Sequence, residues 1–446
     1  MTSNLKNELR FGLRSLIREN AYARSFVGRI RRHEQSSPEV LERMRQQYLH
    51  RTLQRAIATL PGYRHIDPGF SVAESEQVLR ERFPVIDKAA FLDRPHDFYP
   101  REGKALPWQA VGKTSGTTGT PLSILRSMES VLMENAFIRR HWEWSGYGDN
   151  HVRATLRGDL VVDLQQQKPP YWFWNRYDKQ LLLSSRHLTD ACVDAIIDCL
   201  EEKKPYLLQA YPSTAFTLAT FLQRRNRRLS IPFVYTASEP LYPHQRELIL
   251  DRVGGRIMDM YGMAERVAFA TECEHGEMHI NSDYSHVEIV DEQGRPTDGP
   301  GFVVGTTYFN MAMPLVRYRL SDRTSWKAGQ CQCGRPFPMI EPVTGKFEDA
   351  ITGGNGQVIS PSVLTFAFKG VENIRKSQVA QVAAGKWEIR VVPGPDFGDG
   401  DRNKLITNVR NLVDSTVAVD VVIKSELPNT AAGKFRWVVN EMRKTA

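Results

Sequence analysis

Thr114-Ser115-Gly116-Thr117-Thr118-Gly119-Thr120-Pro121 is the most informative stretch of the chain, because its composition suits a loop that holds phosphate groups. Glycine permits a backbone φ above 0°, which brings N–H groups close to an anion, and the hydroxyl groups are further donors to phosphate oxygens. No Gly-Lys-[Ser/Thr] follows, so the stretch is not a P-loop. An ordinary polar surface turn has the same composition, and the interpretation therefore depends on the rest of the chain.

The bulk properties of the chain exclude several classes of protein. With 446 residues it exceeds the size that one hydrophobic core usually covers, so we expect two or more domains. No run approaches the roughly 18–20 apolar residues of a membrane span, and the N-terminus lacks the apolar core of a signal peptide. Five cysteines, three of them close to other metal-type ligands, do not form a disulfide framework. We therefore expect a soluble, cytoplasmic protein.

The net charge of +8 suits polyanionic small molecules such as nucleotides, but also nucleic acid or an anionic membrane. The basic residues are spread along most of the chain, which argues against nucleic-acid binding. Residues 1–35 are a basic extension in which apolar residues fall near helical spacing: Leu5, Leu9, Leu13, Leu16 and Ile17. Such a helix can lie on a membrane or pack on the protein's own body with its basic face in solvent. We favour packing on the body.

Helical and short apolar stretches alternate after the loop, which indicates α/β layers. We predict helices at 39–59, 128–144, 191–202 and 213–225, with strands at 206–210, 233–236 and 256–260. Further strands are predicted at 287–290, 302–308 and 315–319. After a break at 345–349, a strand at 387–392, a helix at 404–413 and a strand at 417–424 indicate a compact α+β unit. The fold class is therefore α/β with a smaller C-terminal domain.

Three short motifs downstream argue against the surface-turn interpretation of the loop. Tyr261-Gly262-Met263-Ala264-Glu265 follows a predicted strand; its tyrosine can stack on a nucleobase and its glutamate can hold Mg²⁺. The segment 317–322 ends a predicted strand with Asp322, a carboxylate suited to two ribose hydroxyls. The segment 428–436 places Lys434 on a glycine-containing turn that can reach into a cleft. Taken singly, a surface turn, a strand-end ion pair and an exposed basic loop would look the same.

Together these residues resemble the adenylate-forming superfamily of acyl-CoA synthetases, luciferases and peptide-synthetase adenylation domains. Within it the chain is most similar to the phenylacetate–CoA ligase branch, which is shorter, opens with a helix like 46–63 and carries Ile86-Asp87-Lys88 ahead of its loop. The resemblance runs from about residue 40 to the end. It implies a large multi-subdomain N-terminal domain (1–345, with 1–35 as a helical extension), a hinge (346–349) and a small mobile C-terminal domain (350–446).

The resemblance also implies a role for each motif. The nucleotide phosphates would be held by Thr114, Ser115, Gly116, Thr117, Thr118, Gly119 and Thr120. Adenine would lie against Tyr261, Gly262 and Met263, with Ser238, Glu239 and Pro240 as the neighbouring wall. Glu265 would bind Mg²⁺, Asp322 the ribose, and Asp349 would be the hinge. Lys434 would bridge the substrate carboxylate and the α-phosphate, so that Lys434, Glu265 and Thr118 act directly in the reaction.

Two positions depart from the family pattern. Ala264 stands where the family often has Thr or Ser, which removes one hydroxyl contact to the phosphate. Lys346 replaces the usual hinge arginine, and the two cations differ in planar contacts. Neither change removes the chemistry.

The implied activity is ATP-dependent conversion of a carboxylic acid, favoured to be an aryl acid, into an acyl-adenylate with release of pyrophosphate. The acyl group would then pass to a thiol, with coenzyme A favoured. Transfer to an amine or to a carrier-protein phosphopantetheine stays open, as does a non-catalytic nucleotide-binding protein, although retention of Lys434, Glu265 and Asp322 together argues against the last. Core packing accounts for Tyr211, Phe233 and Tyr235 as well as an aromatic pocket does. The sequence does not decide the oligomeric state, and a homodimer is one hypothesis.

A second candidate site is a metal centre. Cys331-Gln332-Cys333 lies before the predicted hinge, and Cys273 and His279 lie upstream. Three cysteines and a histidine make a tetrahedral set for structural zinc, and many members of the branch carry a similar pattern. We expect His279 rather than His275 as the fourth ligand, because the tight spacing of His275 to Cys273 is harder to close around one ion. Reduced cysteines without metal are the alternative.

Overall fold

The fold is described from a computed structural model. The described residues are 3–18, 20–100, 105–113, 122–343, 351–359, 361–368, 370–371, 373–428 and 436–442. Several predicted site residues lie outside them, so their predicted roles stay predictions: Thr114, Ser115, Gly116, Thr117, Thr118, Gly119, Thr120, Lys346, Asp349 and Lys434.

The N-terminal third is mainly helical. It contains α1 (Ser3–Arg18), α2 (Ala21–His33), α3 (Pro38–Thr59), α4 (Ser75–Arg82), β1 (Ile86–Asp87), α5 (Lys88–Asp93), α6 (Pro95–Phe98), β2 (Ala110–Lys113), β3 (Ser123–Arg126) and α7 (Met128–Glu143). Ser37 caps α3 by accepting from Val40 N, and Ser127 caps α7 by accepting from Ser130 N. The helices predicted at 39–59 and 128–144 are confirmed.

The middle of the chain alternates strands and helices. It contains β4 (Arg153–Leu156), β5 (Trp172–Asn175), β6 (Gln180–Leu183), α8 (Val193–Lys203), β7 (Leu207–Ala210), α9 (Pro212–Arg224), β8 (Phe233–Ala237), α10 (Pro243–Arg252), β9 (Arg256–Gly262), β10 (Phe269–Glu272) and β11 (Met278–Ile280). Leucine, isoleucine and valine side chains of α8 and α9 pack on the sheet in one buried cluster. The predicted α/β alternation is confirmed.

A run of strands follows, consisting of β12 (Ser285–Val290), β13 (Gly301–Thr307), β14 (Tyr318–Thr324), β15 (Trp326–Lys327) and β16 (Met339–Ile340). One sheet has the order β1-β14-β13-β12. The strand predicted at 315–319 is wrong in its bounds, because Arg317 has a φ of 46° and interrupts the extended backbone. Asp322 therefore lies inside β14, and the prediction that it ends a strand is wrong.

The large sheet has the order β15-β16-β11-β10-β9-β8-β7-β4-β6-β5. Strands β6, β4, β7, β8 and β9 are parallel, so their carboxyl ends meet at one edge. Because β6 lies on one side of β4 and β7 on the other, the order of the strands reverses at β4. We call the residues that directly follow these five strands the carboxyl edge: Ser184, Arg157, Tyr211, Ser238 and Met263.

The C-terminal residues form a further sheet over their own core. The elements are β17 (Ile351–Thr352), β18 (Val358–Ile359), α11 (Pro361–Leu364), β19 (Ile374–Ala383), β20 (Lys386–Pro393), α12 (Asp399–Asn408), β21 (Ala418–Ile423) and β22 (Val438–Asn440). The sheet order is β21-β20-β19-β22, and Trp387 and Trp437 are buried in its core. The predicted α+β character is confirmed, although the helix begins at Asp399 and ends in a π-type turn over Val409–Val413.

The N-terminal extension packs on the body, but three of the leucines that suggested this packing are exposed. In α1, Phe11 is buried with Val161 and Phe173, whereas Leu9, Leu13 and Leu16 are 61%, 62% and 72% exposed. A second set of buried residues, all from α2, joins the main core: Ala23, Phe26 and Ile30. Within the described part of the chain, no helix combines the length and apolar character required to cross a bilayer.

Candidate active site and metal centre

The first part of the candidate site joins β9 to β14. The Tyr261 hydroxyl donates a hydrogen bond of 2.8 Å to Asp322 Oδ2, from a position 61 residues away in the sequence. Asp322 is only 2% exposed. Burial and the negative charge of Asp322 raise the pKa of Tyr261 well above its ordinary value, so the phenol stays protonated and acts as the donor. The residues predicted to hold adenine and ribose therefore share one site.

The turn from β9 to β10 carries Glu265, which is buried at 9% exposure. Arg266 adopts a φ of 58°, and its guanidinium donates to the Ser130 carbonyl and hydroxyl at 2.8 and 3.0 Å. Arg126 donates to the Ala264 carbonyl on the other side of the turn. Two cations thus hold the turn in place. The carboxylate oxygens of Glu265 fit a hard cation such as Mg²⁺.

The sequence did not reveal these supporting residues. Arg266 directly follows the Tyr-Gly-x-x-Glu motif, so its position in the sequence could have indicated a role in this turn. Arg126 and Ser130 carry no local signal, since they reach the turn only through the packing of β3 and α7. Burial, followed by the charge of Arg266, lowers the pKa of Arg126 to about 10.

The predicted wall of the adenine site lies one strand away, at the end of β8. Ala237 pairs with Met260, so Ser238 follows its strand at the same level as Tyr261. Ser238 has a φ of 73°, a conformation that costs a non-glycine residue about 1 kcal/mol or more. Glu239 accepts a hydrogen bond of 3.1 Å from Ser213 N, which ties the wall to the start of α9, and Pro240 is exposed.

The three aromatic residues considered for a substrate pocket do not lie together. Phe233 and Tyr235 pack in a core cluster with Trp142 and Met258, and the Tyr235 hydroxyl donates to the His141 carbonyl at 3.1 Å. For these two, core packing is the correct interpretation. Tyr211 alone lies on the carboxyl edge.

The metal-type residues form a second, separate group. The ligand atoms of Cys273, His279, Cys331 and Cys333 all lie within 4.8 Å of one another. Cys273 Sγ is 3.6 Å from Cys331 Sγ, and Cys333 Sγ is 3.4 Å from His279 Nε2. Four ligands at Zn–S distances of about 2.3 Å would be about 3.8 Å apart at the corners of a tetrahedron, so the arrangement fits zinc.

Hydrogen bonds around this group favour His279 as the fourth ligand. His279 Nδ1 lies 2.9 Å from the Phe337 carbonyl, and a proton on Nδ1 leaves the Nε2 lone pair for a metal. His275 contributes only its backbone N–H, which donates to Cys273 Sγ at 3.4 Å. Burial raises the pKa of Cys273 and Cys333, so metal binding would have to displace thiol protons.

Comparisons with known proteins agree with this architecture. The family described as the CapK C-terminal domain matches residues 351–441. Protein CapK of Staphylococcus aureus is 21% identical over 338 residues, which are 74% of each chain. A phenylacetate-coenzyme A ligase of Thermus thermophilus is 30% identical over 273 residues, which are 54% of this chain and 61% of the ligase, so the chain spans about three fifths of that relative.

A solved structure shows the same fold. A 2-hydroxyisobutyryl-CoA ligase, solved with 2-HIB-AMP and CoA in its thioesterification state, matches with a TM-score of 0.57. It is 17% identical, and the match covers 93% of both chains. The large N-terminal body and small C-terminal unit are thus the arrangement of an adenylate-forming ligase. The chain is thus similar in sequence to phenylacetate-coenzyme A ligases and in fold to adenylate-forming CoA ligases.

Proposed function

We propose that this protein activates a carboxylic acid, an aryl acid in line with its branch, with ATP and passes the acyl group to coenzyme A. The hydrogen bond between Tyr261 and Asp322 is the observation that supports this most directly. It joins the two residues that would hold the nucleoside, on a fold shared with a ligase solved with an acyl-adenylate and CoA.

The reaction would proceed in two balanced steps. A carboxylate oxygen of the acid attacks the α-phosphorus of ATP, and the bond to the bridging oxygen breaks to release pyrophosphate. The thiol of coenzyme A then loses its proton and attacks the acyl carbon, and AMP leaves. The first step brings negative charges together, so the protein contributes mainly by positioning and by electrostatic stabilisation.

Each residue group has a part in this chemistry. Asp322 would accept the ribose hydroxyls while Tyr261 orients its carboxylate. Ser238, Glu239 and Pro240, which follow β8, would lie beside adenine. A Mg²⁺ ion held by Glu265 would neutralise phosphate charge. Lys434, which lies outside the described residues, would bridge the acid and the α-phosphate.

We further propose that the C-terminal unit (350–446) rotates about Asp349 between the two steps. The unit has its own core, as a rigid body requires. It touches the body near the carboxyl edge: Arg186 donates to the carbonyls of Leu412 and Val413, and a Cβ on Gly158 would come within 2.8 Å of Phe366. A movement would therefore open and close this same edge.

Exchange of labelled pyrophosphate into ATP tests the first step without any acceptor. We expect exchange that depends on one class among a broad panel of carboxylic acids, and its loss in Lys434→Ala. Arg228→Ala, at a side chain that is 64% exposed and pairs with Asp251, is the control and should exchange like the wild type. Exchange with no acid in the panel would contradict adenylation.

Product analysis tests the acceptor. Coenzyme A, amines and carrier proteins would be offered in parallel with the active acid, and the thioester of coenzyme A is the expected product. An amide or a loaded carrier protein would instead support one of the alternatives that the sequence leaves open.

A further inference from the structure

Arg157 lies where the strand order of the large sheet reverses. In open α/β sheets, ligands bind beyond the carboxyl ends of the strands, where the strand order reverses. Here the order reverses at β4, between β6 and β7. Arg157 directly follows β4 and Tyr211 directly follows β7, so these two residues flank the crevice. The guanidinium carbon of Arg157 lies 5.5 Å from the centre of the Tyr211 ring.

Arg157 is half-buried, and it differs from the fully buried arginines in having no acceptor among the described residues. Arg140 donates to both carboxylate oxygens of Asp283, Arg317 to both of Glu288, and Arg186 to backbone carbonyls. Arg157 Nε is buried without a hydrogen-bond partner, and among the described residues no side chain or carbonyl accepts from its guanidinium. Only Nε is fully shielded, so the two terminal nitrogens are accessible to an anion that enters the crevice, and partial desolvation of the guanidinium strengthens such a contact.

The surroundings of Arg157 do not neutralise it. Asp159 and Glu239 attract it from beyond ion-pair distance, but Asp159 also pairs with Arg10 at 3.5 Å, and Glu239 accepts from Ser213 N. Arg14 of α1 repels it. Burial is the main effect on Arg157 and lowers its pKa, yet a guanidinium stays protonated at neutral pH. Arg157 therefore brings a positive charge to the crevice, although no carboxylate pairs with it directly.

The crevice and the nucleoside residues lie on the same edge but apart. Arg157 follows β4, and Tyr261 lies in β9, three strands away across β7 and β8. At about 4.8 Å per strand, the two residues are separated by roughly 14 Å across the sheet. Because Tyr261 would contact the adenine end, a bound nucleotide would fill part of this span, and an acid that reacts at the α-phosphate could then reach Arg157 with its far end. The Tyr211 ring would lie beside its carbon frame.

We propose that the acid substrate is a dicarboxylic acid, whose second carboxylate is bound by Arg157 in the crevice beside Tyr211. This inference rests on the proposed function and narrows its substrate class. Bidentate contact of a guanidinium with a carboxylate supplies both charge and geometry. The Arg157 side chain thus selects dicarboxylic over monocarboxylic acids.

Matched pairs of acids test this selection. Benzoate would be compared with benzene-1,4-dicarboxylate, phenylacetate with 4-carboxyphenylacetate, and butanoate with butanedioate. In pyrophosphate exchange we expect the wild type to favour the dicarboxylate of at least one pair by about 100-fold in kcat/KM, since only the dicarboxylate can make a charge-assisted contact with the guanidinium. Arg157→Met should lose this preference while its KM for ATP stays within about twofold. Arg157→Lys should retain part of it.

Two controls keep the outcomes distinct. Arg228→Met changes an exposed arginine and should keep the wild-type preference. Thermal melts should show Arg157→Met to be about as stable as the wild type, because the guanidinium donates to no described residue and its loss breaks no hydrogen bond among them. A melt well below that of the wild type would assign Arg157 a structural role and overturn the proposal that its guanidinium is free to bind a ligand.

Calorimetric binding of the dicarboxylates without ATP separates the two hypotheses. Binding to the wild type but not to Arg157→Met supports the crevice even if no acid drives exchange, in which case only the proposed function fails. Equal exchange with both members of every pair overturns the dicarboxylate proposal and leaves adenylation intact. A KM for ATP or coenzyme A that rises in Arg157→Met, with acid preference unchanged, assigns the arginine to phosphate and also overturns the proposal.

Discussion

Asp322 and Tyr261 illustrate how individual residues prepare the site. Asp322 is an acceptor buried inside β14, and the neutral phenol of Tyr261 donates to one of its oxygens at 2.8 Å. Because the phenol carries no charge, it orients the carboxylate without cancelling its negative charge. In the proposed function, a carboxylate held in this way would accept the ribose hydroxyls.

Substitution of Asp322 tests this role. Asp322→Asn replaces a charged acceptor by an amide that also donates, so KM for ATP in pyrophosphate exchange should rise by about 30- to 100-fold. Tyr261→Phe keeps the ring and removes only the orienting bond, so its effect should stay below about tenfold. Unchanged melting temperatures would confirm that both variants fold. An Asp322→Asn enzyme with the wild-type KM would contradict the ribose role.

A second residue network, completely buried, is structural. Arg140 of α7 donates to Asp283 Oδ2 and Oδ1 at 2.6 and 3.0 Å, and His33 Nδ1 of α2 lies 2.8 Å from Oδ2. Burial alone would raise the pKa of Asp283, but the positive charge of Arg140 and the hydrogen bonds outweigh it and lower the pKa. The ionised carboxylate therefore depends on Arg140.

Arg140→Met should lower the free energy of unfolding by about 3–5 kcal/mol, because it leaves the Asp283 charge buried and uncompensated. The double variant Arg140→Met/Asp283→Asn should recover part of that loss, since the orphaned charge is gone. Urea unfolding of the wild type, both single variants and the double variant would measure the coupling. A strictly additive cycle would show that the pair does not act as a unit.

At the scale of elements, the four metal-type residues lie where short strands from distant parts of the sequence meet. Strands β10 and β11 pair with each other, and β11 pairs with β16 through only two residues. The four metal-type residues come from the end of β10, from β11 and from the segment between β15 and β16. A zinc ion there would connect segments whose own hydrogen bonds are few.

Protein prepared without chelator should therefore contain about one zinc ion per chain. Cys333→Ser should lose the ion and lower the melting temperature by about 5 °C or more, because metal binding and folding are coupled. Cys192→Ser is a matched control, since Cys192 is a free cysteine outside the group. Elemental analysis measures the content, and less than about a tenth of an ion per chain in the wild type would contradict the zinc hypothesis.

For the whole molecule, burial of neutral histidines contributes to the response to acid: the pKa values of both His286 and His141 fall to about 3. His286 lies in β12, and its Nε2 is buried without a partner among the described residues. Burial, with contributions from Arg45, Arg80 and Arg317, lowers its pKa from 6.5 to about 3. Between these values the unfolded chain binds a proton that the folded chain does not, so stability falls as the pH falls.

His286→Gln should remove the contribution of His286 and leave that of His141. Between about pH 6.5 and pH 4.5 the wild type should lose roughly 2–3 kcal/mol more stability than the variant, at about 1.4 kcal/mol per pH unit. Urea unfolding across this range measures the difference, and Arg228→Ala should follow the wild type. Equal slopes for wild type and His286→Gln would contradict a depressed pKa.

The sequence by itself determined the fold class, most helices and the identity of two candidate sites. Periodicity was sufficient for α3, α7 and α9, because long amphipathic patterns have few alternative structures. The sequence pattern placed Asp322 at a strand end. It could not predict that Arg317 adopts a left-handed conformation, after which β14 begins. Cysteine spacing likewise identified the metal group from local residue types alone.

Only the tertiary structure singled out Arg157. It is one of 59 lysines and arginines, and its sequence neighbours resemble no motif. Its significance arises because β4 lies where the strand order reverses and because no described residue accepts from it, and both facts depend on contacts between segments far apart in the chain. Local sequence patterns encode helices, strands and motifs. Whether a side chain such as Arg157 meets an acceptor among the described residues depends instead on which segments the fold brings together.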